Sequence, residues 1–217
     1  MTNRLEENTT IYHGDCLKIM QSMPDESVDC IISDPPYAGF DFDGESVENY
    51  WKVFVSYYNE MLRVCQKEKR LAISQPAIRH TYFSTVFPFT RVLSIADGFA
   101  NNRGVPADFL LTNPKTEEPQ SAENWPEDIV PKSIHPNDRD INKMAIIVKT
   151  MTREGDTVLD PFCGSGAIGI ACVLLGRKYI GIELDKERAE DARKRLEATL
   201  ERCPRNPEME SGQGKNC

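Results

Sequence analysis

The chain has no C-x-x-C pair, no apolar run long enough to span a membrane, and no charged-then-apolar stretch among its first residues. The first absence argues against zinc, whose structural sites draw on closely spaced cysteine pairs, and no metal site is expected. The seven cysteines are Cys16, Cys30, Cys65, Cys163, Cys172, Cys203 and Cys217. They are odd in number and scattered, which fits reduced thiols, and several sit in apolar runs where a thiol packs as a small hydrophobe. The other two absences point to a cytoplasmic protein with no membrane partner. Internal repeats and low-complexity blocks are missing as well, which excludes solenoid and fibrous classes.

Basic charge is also scarce. Lys and Arg number 26 against 34 Asp and Glu, so the net charge is −8. Nucleic-acid binding rests on phosphate contacts, so such a partner would have to be met by a local basic face. Lys67, Lys69, Arg70, Arg79, Arg91, Arg103, Lys115 and Lys132 are candidates for it. Taken singly, each reads better as a solvated surface charge.

The 217 residues suffice for one domain with a sizeable core. Residues 28–33 form an apolar run closed by Asp34-Pro35-Pro36, a buried strand ending in a forced turn. Trp51, Phe54, Val55, Tyr58, Met61, Leu62 and Cys65 fall at helical spacing. Further strands are expected at 71–74, 91–95, 107–112, 157–159 and 179–182, and helices at 141–150, 166–175 and 186–202. Residues 113–137 read as an irregular connection and the stretch from Pro204 as a disordered tail. Strands alternating with helices give an α/β fold with a mainly parallel sheet, whose ligands sit at the carboxyl ends of strands near the switch point.

Two unusual segments stand at such strand ends. The first is Asp160-Pro161-Phe162-Cys163-Gly164-Ser165-Gly166, between a strand and a helix. Glycines there permit tight turning and close backbone approach to a ligand, and the helix start adds unpaired amides. Glu183 ends the next strand, where a carboxylate can accept hydrogen bonds from a ribose diol. Gly164, Gly166 and Gly169 also satisfy G-x-G-x-x-G, the dinucleotide fingerprint of dehydrogenases. Too few elements follow to complete a dinucleotide site. The rest of the sheet must come from the N-terminal part of the chain, which points to a single-nucleoside pocket in a permuted sheet.

The second segment is Asp34-Pro35-Pro36-Tyr37. Two prolines fix the backbone and remove two amide donors. The Asp34 carboxylate and the Pro35 carbonyl can then serve as acceptors for an –NH2 group, and Tyr37 offers a ring for stacking on a base. Hydrogen bonds to both amine hydrogens favour a pyramidal, more nucleophilic nitrogen. With a reactive methyl donor, positioning supplies much of the rate. An aromatic platform also lowers the cost of extruding a base from a duplex.

These residues resemble the beta-class amino-methyltransferases of DNA, in which D-P-P-Y precedes F-x-G-x-G. The likeness covers most of residues 10–200. It implies a Rossmann-like, S-adenosylmethionine-dependent methyltransferase fold: a mainly parallel seven-stranded sheet, permuted in order, with an antiparallel last strand. The strands at 91–95 and 107–112 suit that antiparallel pair. The resemblance implies Asp34, Pro35, Pro36 and Tyr37 as the catalytic turn. It implies cofactor contacts from Asp15 and Cys16 of the Gly14-Asp15-Cys16 segment, from Asp34, from Asp160, Pro161, Phe162, Gly164, Ser165 and Gly166, and from Glu183.

Two departures from the family pattern stand out. Where the family has H-P-x-x-K-P, this chain reads His135-Pro136-Asn137-Asp138-Arg139-Asp140, keeping the positive charge and losing the proline. A recognition domain would fall before His135, yet residues 113–134 are too few for one. One catalytic domain, 1–203, with a short insert at 113–134 and a tail at 204–217, is therefore expected. Recognition would then be relaxed, or supplied by a homodimer or a second subunit. D-P-P-Y is more often that of adenine N6 enzymes, so adenine in DNA is the expected target. Cytosine N4 is the close alternative, and RNA, a catalytically silent subunit and a dehydrogenase follow it.

Overall fold

The structure is a computed structural model that describes residues 8–36, 47–76, 91–93, 107–113, 131–132 and 139–202. Tyr37, His135, nearly all of the 113–134 insert and the 204–217 tail lie outside the described residues. The chain runs β1 (Thr9–His13), α1 (Cys16–Ser22), β2 (Val28–Ser33), α2 (Val47–Val64), β3 (Cys65–Pro76), β4 (Arg91–Leu93) and β5 (Ala107–Thr112). It continues through α3 (Ile141–Met151), β6 (Thr157–Asp160), α4 (Ala167–Leu174), β7 (Lys178–Glu183) and α5 (Lys186–Arg202).

All seven strands join one sheet in the order β1-β7-β6-β2-β3-β5-β4. The pairings from β1 across to β3 are parallel. Strand β5 runs antiparallel to both β3 and β4. The expected reversed strand is therefore β5, which lies one place in from the edge, with β4 outermost.

Helices cover both faces. In β2, Cys30 and Ile32 belong to the cluster under α3, α4 and α5, while Ile31 belongs to the one under α1 and α2. Successive side chains of a strand point to opposite faces, so a strand covered on both sides reads as the unbroken apolar run seen at 28–33. The α2 stripe behaves as its spacing predicts, with Phe54, Tyr58 and Met61 buried. Cys65 does not continue it, because the chain has already turned into β3.

Strand β1 and helix α1 are not anticipated by the sequence reading. Their segment is short and mixed in polarity, and β1 is held in the sheet by its pairing with β7 rather than by an apolar run, with Thr9 and Ile11 buried and Tyr12 and His13 exposed. Carboxylates start two helices: Asp15 accepts from the Leu17 amide at α1, and Asp140 from the Asn142 amide at α3.

Arg70 is corrected as a candidate phosphate contact. Its side chain is buried, donating to the Met151 carbonyl at 2.9 Å and to Asp156 at 2.8 Å. Lys67 and Lys132 are exposed, as surface charges should be.

Candidate active site

Four of the segments singled out in the sequence end four adjacent parallel strands. In sheet order they are Gly14-Asp15 after β1, Glu183 at β7, the glycine loop after β6, and Asp34-Pro35-Pro36 after β2. Chain direction reverses its walk across the sheet between β6 and β2, so the crevice there is the switch point where ligands of open α/β sheets bind.

Backbone hydrogen bonds tie these ends together. The Gly14 amide donates to the Glu183 carbonyl at 2.8 Å, and the Cys163 amide to the Ile182 carbonyl at 2.9 Å. The Glu183 carboxylate accepts from the Gly164 amide through Oε2 and from the Asp185 amide through Oε1, both at 2.9 Å. Each carboxylate oxygen has a second lone pair, so a diol can still donate to the same group. Gly164 and Gly166 have φ of +52° and +85°, a region that disfavours side chains. A Cβ on Gly164 would meet open space, whereas one on Gly166 would press on Ala192 of α5 at 3.2 Å. Helix α4 starts without a side-chain cap. An open glycine turn, an uncapped helix start and a carboxylate one strand away fit an adenosyl group with a polar tail.

Ser165 faces inward. Its hydroxyl and carbonyl accept from Arg195 Nη1 at 2.8 and 2.9 Å, which pins the loop to α5. Arg195 is buried on α5, although most of the charged residues of that helix are not. The available signal was its place on the stripe of Ala189, Ala192, Leu196 and Thr199, all buried. Cys16 is also buried, which pushes its thiol up to about 12, with the Asp15 charge adding to the effect. Of the loop's remaining residues, Pro161 is buried, and Phe162 is half-buried with its ring edge-on to Tyr57 of α2 at 5.4 Å between centroids.

Asp160 is buried at the switch point. Its Oδ1 accepts from the Ser33 hydroxyl at 3.0 Å and the Phe162 amide at 3.2 Å, and its Oδ2 from the Tyr179 hydroxyl at 3.3 Å. It thus links β2, the glycine loop and β7. Burial pushes its carboxyl up to about 7, the Phe162 and Ser33 bonds oppose this, the Asp34 charge adds to it, and the Tyr179 bond opposes it again. An unfolded aspartate titrates near ~3.9. Between those values the folded chain holds a proton that the unfolded chain lacks, so this group's contribution to stability falls as pH rises through the window. Asp160→Asn removes the titration. Its stability relative to the parent should rise by about 1.4 kcal/mol per pH unit between roughly pH 5 and 7. Urea melts at several pH values check this, and parallel curves for the two proteins would refute it.

Asp34 is half-buried and Pro35 buried at the start of the turn. Arg139 Nε donates to Asp34 Oδ2 at 2.6 Å. The sequence reading notes Arg139 only as a departure from a motif; this contact across 105 positions is not visible in it.

A mostly parallel seven-stranded sheet covered on both faces, with the glycine loop and the Asp34-Pro35-Pro36 turn adjacent at its switch point, is an α/β fold of the doubly wound kind. The chain belongs to the N6/N4 DNA methylase family, whose model matches residues 80–194. YubD of Escherichia coli K12 is 29% identical over 206 residues, covering 85% of this chain and 88% of that protein. The DNA adenine methyltransferase YhdJ of the same organism is 26% identical over 251 residues, covering 88% and 83%. The solved structure of the M1.HpyAVI–SAM complex superposes with a TM-score of 0.63 at 23% identity, covering 86% of this chain and 98% of that one.

Proposed function

We propose that the chain transfers a methyl group from S-adenosylmethionine to adenine N6 in DNA, as a beta-class enzyme. The observation that carries this reading is the Ser33–Asp160 hydrogen bond across the switch point. It sets the acceptor turn after β2 beside the glycine loop after β6, so a base amine and a methyl donor would meet in one crevice.

In this reading Asp15, Cys16, the 160–166 loop and Glu183 hold the cofactor, which supplies an activated methyl group when bound. Asp34 and the Pro35 carbonyl accept from the two amine hydrogens and aim the nitrogen lone pair. Pro36 keeps the turn rigid, and Tyr37 stacks on the extruded base. As the nitrogen–carbon bond forms and the sulfur–carbon bond breaks, nitrogen loses a proton to the Asp34 carboxylate or through it to solvent. Chain 1–203 acts as one catalytic domain. With only a short insert at 113–134, base readout falls to a second subunit or is relaxed. No described helix is long and apolar enough to cross a membrane.

Nucleoside mass spectrometry tests the target. Protein, S-adenosylmethionine and unmethylated DNA are incubated, and the DNA is digested. Methyladenine is the expected product. Methylcytosine would move the target to N4, which the family also contains, and no product on single- or double-stranded DNA would sink the reading.

A further inference from the structure

We propose that Arg139 is a positioning residue for the methyl transfer, holding the Asp34 carboxylate in the orientation that accepts the target amine. This rests on the reading of Asp34 as the amine acceptor.

The geometry is specific. The Arg139 and Asp34 side chains are only 15% and 20% exposed, and the Nε–Oδ2 distance of 2.6 Å is that of a charge-assisted hydrogen bond. Little solvent screens the pair. Arg139 has a fixed base, because the next residue, Asp140, caps α3, and α3 packs its buried face against the sheet. Asp140 has its Oδ1 turned to the Asn142 amide.

Arg139 and Asp160 are two of the ionisable groups beside Asp34. Arg139 comes from the segment before α3. Asp160 comes from the end of β6, and its interaction with Asp34 is a repulsion. By binding one carboxylate oxygen the guanidinium restricts rotation of the group, which amine recognition by a fixed pair of acceptors requires.

The test uses the full chain with Arg139→Gln and Arg139→Lys. It measures S-adenosylmethionine affinity by calorimetry and the rate of single-turnover methyl transfer. Arg139→Gln should lower the rate about 10- to 100-fold, with cofactor affinity within about twofold of the parent. Arg139→Lys should restore part of the rate but not all of it, since an ammonium lacks the planar fork. An unchanged rate, or a loss that lysine does not relieve, overturns the proposal. Asp34→Asn alone and combined with Arg139→Gln supplies a second readout. The arginine effect should shrink to about twofold or less in the Asn background, and an undiminished effect means Arg139 acts elsewhere. Asp34→Ala run in parallel separates the two readings. If it stays active, the acceptor assignment fails. If it is dead while Arg139→Gln behaves as the parent, only the present inference fails.

Discussion

Asp34→Ala is expected to lower methyl transfer by about a thousand-fold or more while leaving S-adenosylmethionine binding within a fewfold of the parent. The proposed role of Asp34 is to accept a hydrogen from the target amine, and alanine leaves that hydrogen without a partner at the reacting nitrogen. The cofactor side of the crevice is held by other groups. Glu183, the Gly164 amide, Arg195 and Asp160 make their contacts without Asp34. Truncation also removes the like charge facing Asp160 and leaves Arg139 without this partner, so stability should move by less than activity. Single-turnover kinetics with calorimetric cofactor titration separate the effects. Full turnover by the variant would end the acceptor assignment, and a matching collapse of cofactor affinity would turn Asp34 into a binding residue.

Gly169→Ala should destabilise the protein by about 2 kcal/mol or more, against the usual trend. Glycine to alanine inside a helix normally gains about 1 kcal/mol. Here the new Cβ would sit 2.4 Å from Tyr179 Cε1 and 2.8 Å from two further ring atoms. The ring cannot swing aside cheaply. It is buried, Gly181 closes on it from β7, and its hydroxyl is bonded to Asp160. Overpacking of this kind costs about 1–3 kcal/mol, and the backbone of α4 must move off β7 to relieve it. Chemical melts check the sign directly. A gain in stability would mean that the helix–strand contact at Gly169 is slack. Tyr179→Leu in the Gly169→Ala background should recover part of the loss, since it removes the ring that the methyl group strikes.

Gly169 also illustrates what was legible in the sequence. G-x-G-x-x-G is a statement about backbone at fixed offsets, and the tight turn at Gly164 and Gly166 and the close helix packing at Gly169 are both present in the structure. The same is true of the strand at 28–33, of Ala107–Thr112 and of Lys186–Arg202, where periodicity or a bounded apolar run fixes the element. Three of the four strand-end segments were legible as candidates for the same reason, each punctuated by glycine, proline or a carboxylate at an expected strand end, whereas Gly14-Asp15 came only through the family resemblance.

What stayed hidden depends on partners remote in the chain. Strand β1 takes its place in the sheet from β7, about 170 positions away, and its own residues carry little pattern. The Arg139–Asp34, Arg195–Ser165 and Ser33–Asp160 contacts join residues 105, 30 and 127 positions apart. A charged residue does not announce from its neighbours whether it will be buried. Arg70 and Arg195 look like surface charges in sequence and end as internal struts.

The strand order has a consequence for how the molecule is assembled. The unit β6-α4-β7-α5 inserts between β1 and β2, although both of those strands are made long before it. β2 lacks one of its two neighbours until residue 160 has been synthesised, and β1 has no neighbour until residue 183. The early chain can pair only β2, β3, β5 and β4. Sheet closure must therefore follow translation of the late segment. Such non-local pairing is slow, because loop-closure entropy is spent before the contacts reward it. The crevice at the strand ends should be the last part of the molecule to acquire its shape, and an unpaired edge on the apolar strand β2 is the state in which a nascent chain is most exposed to misassociation.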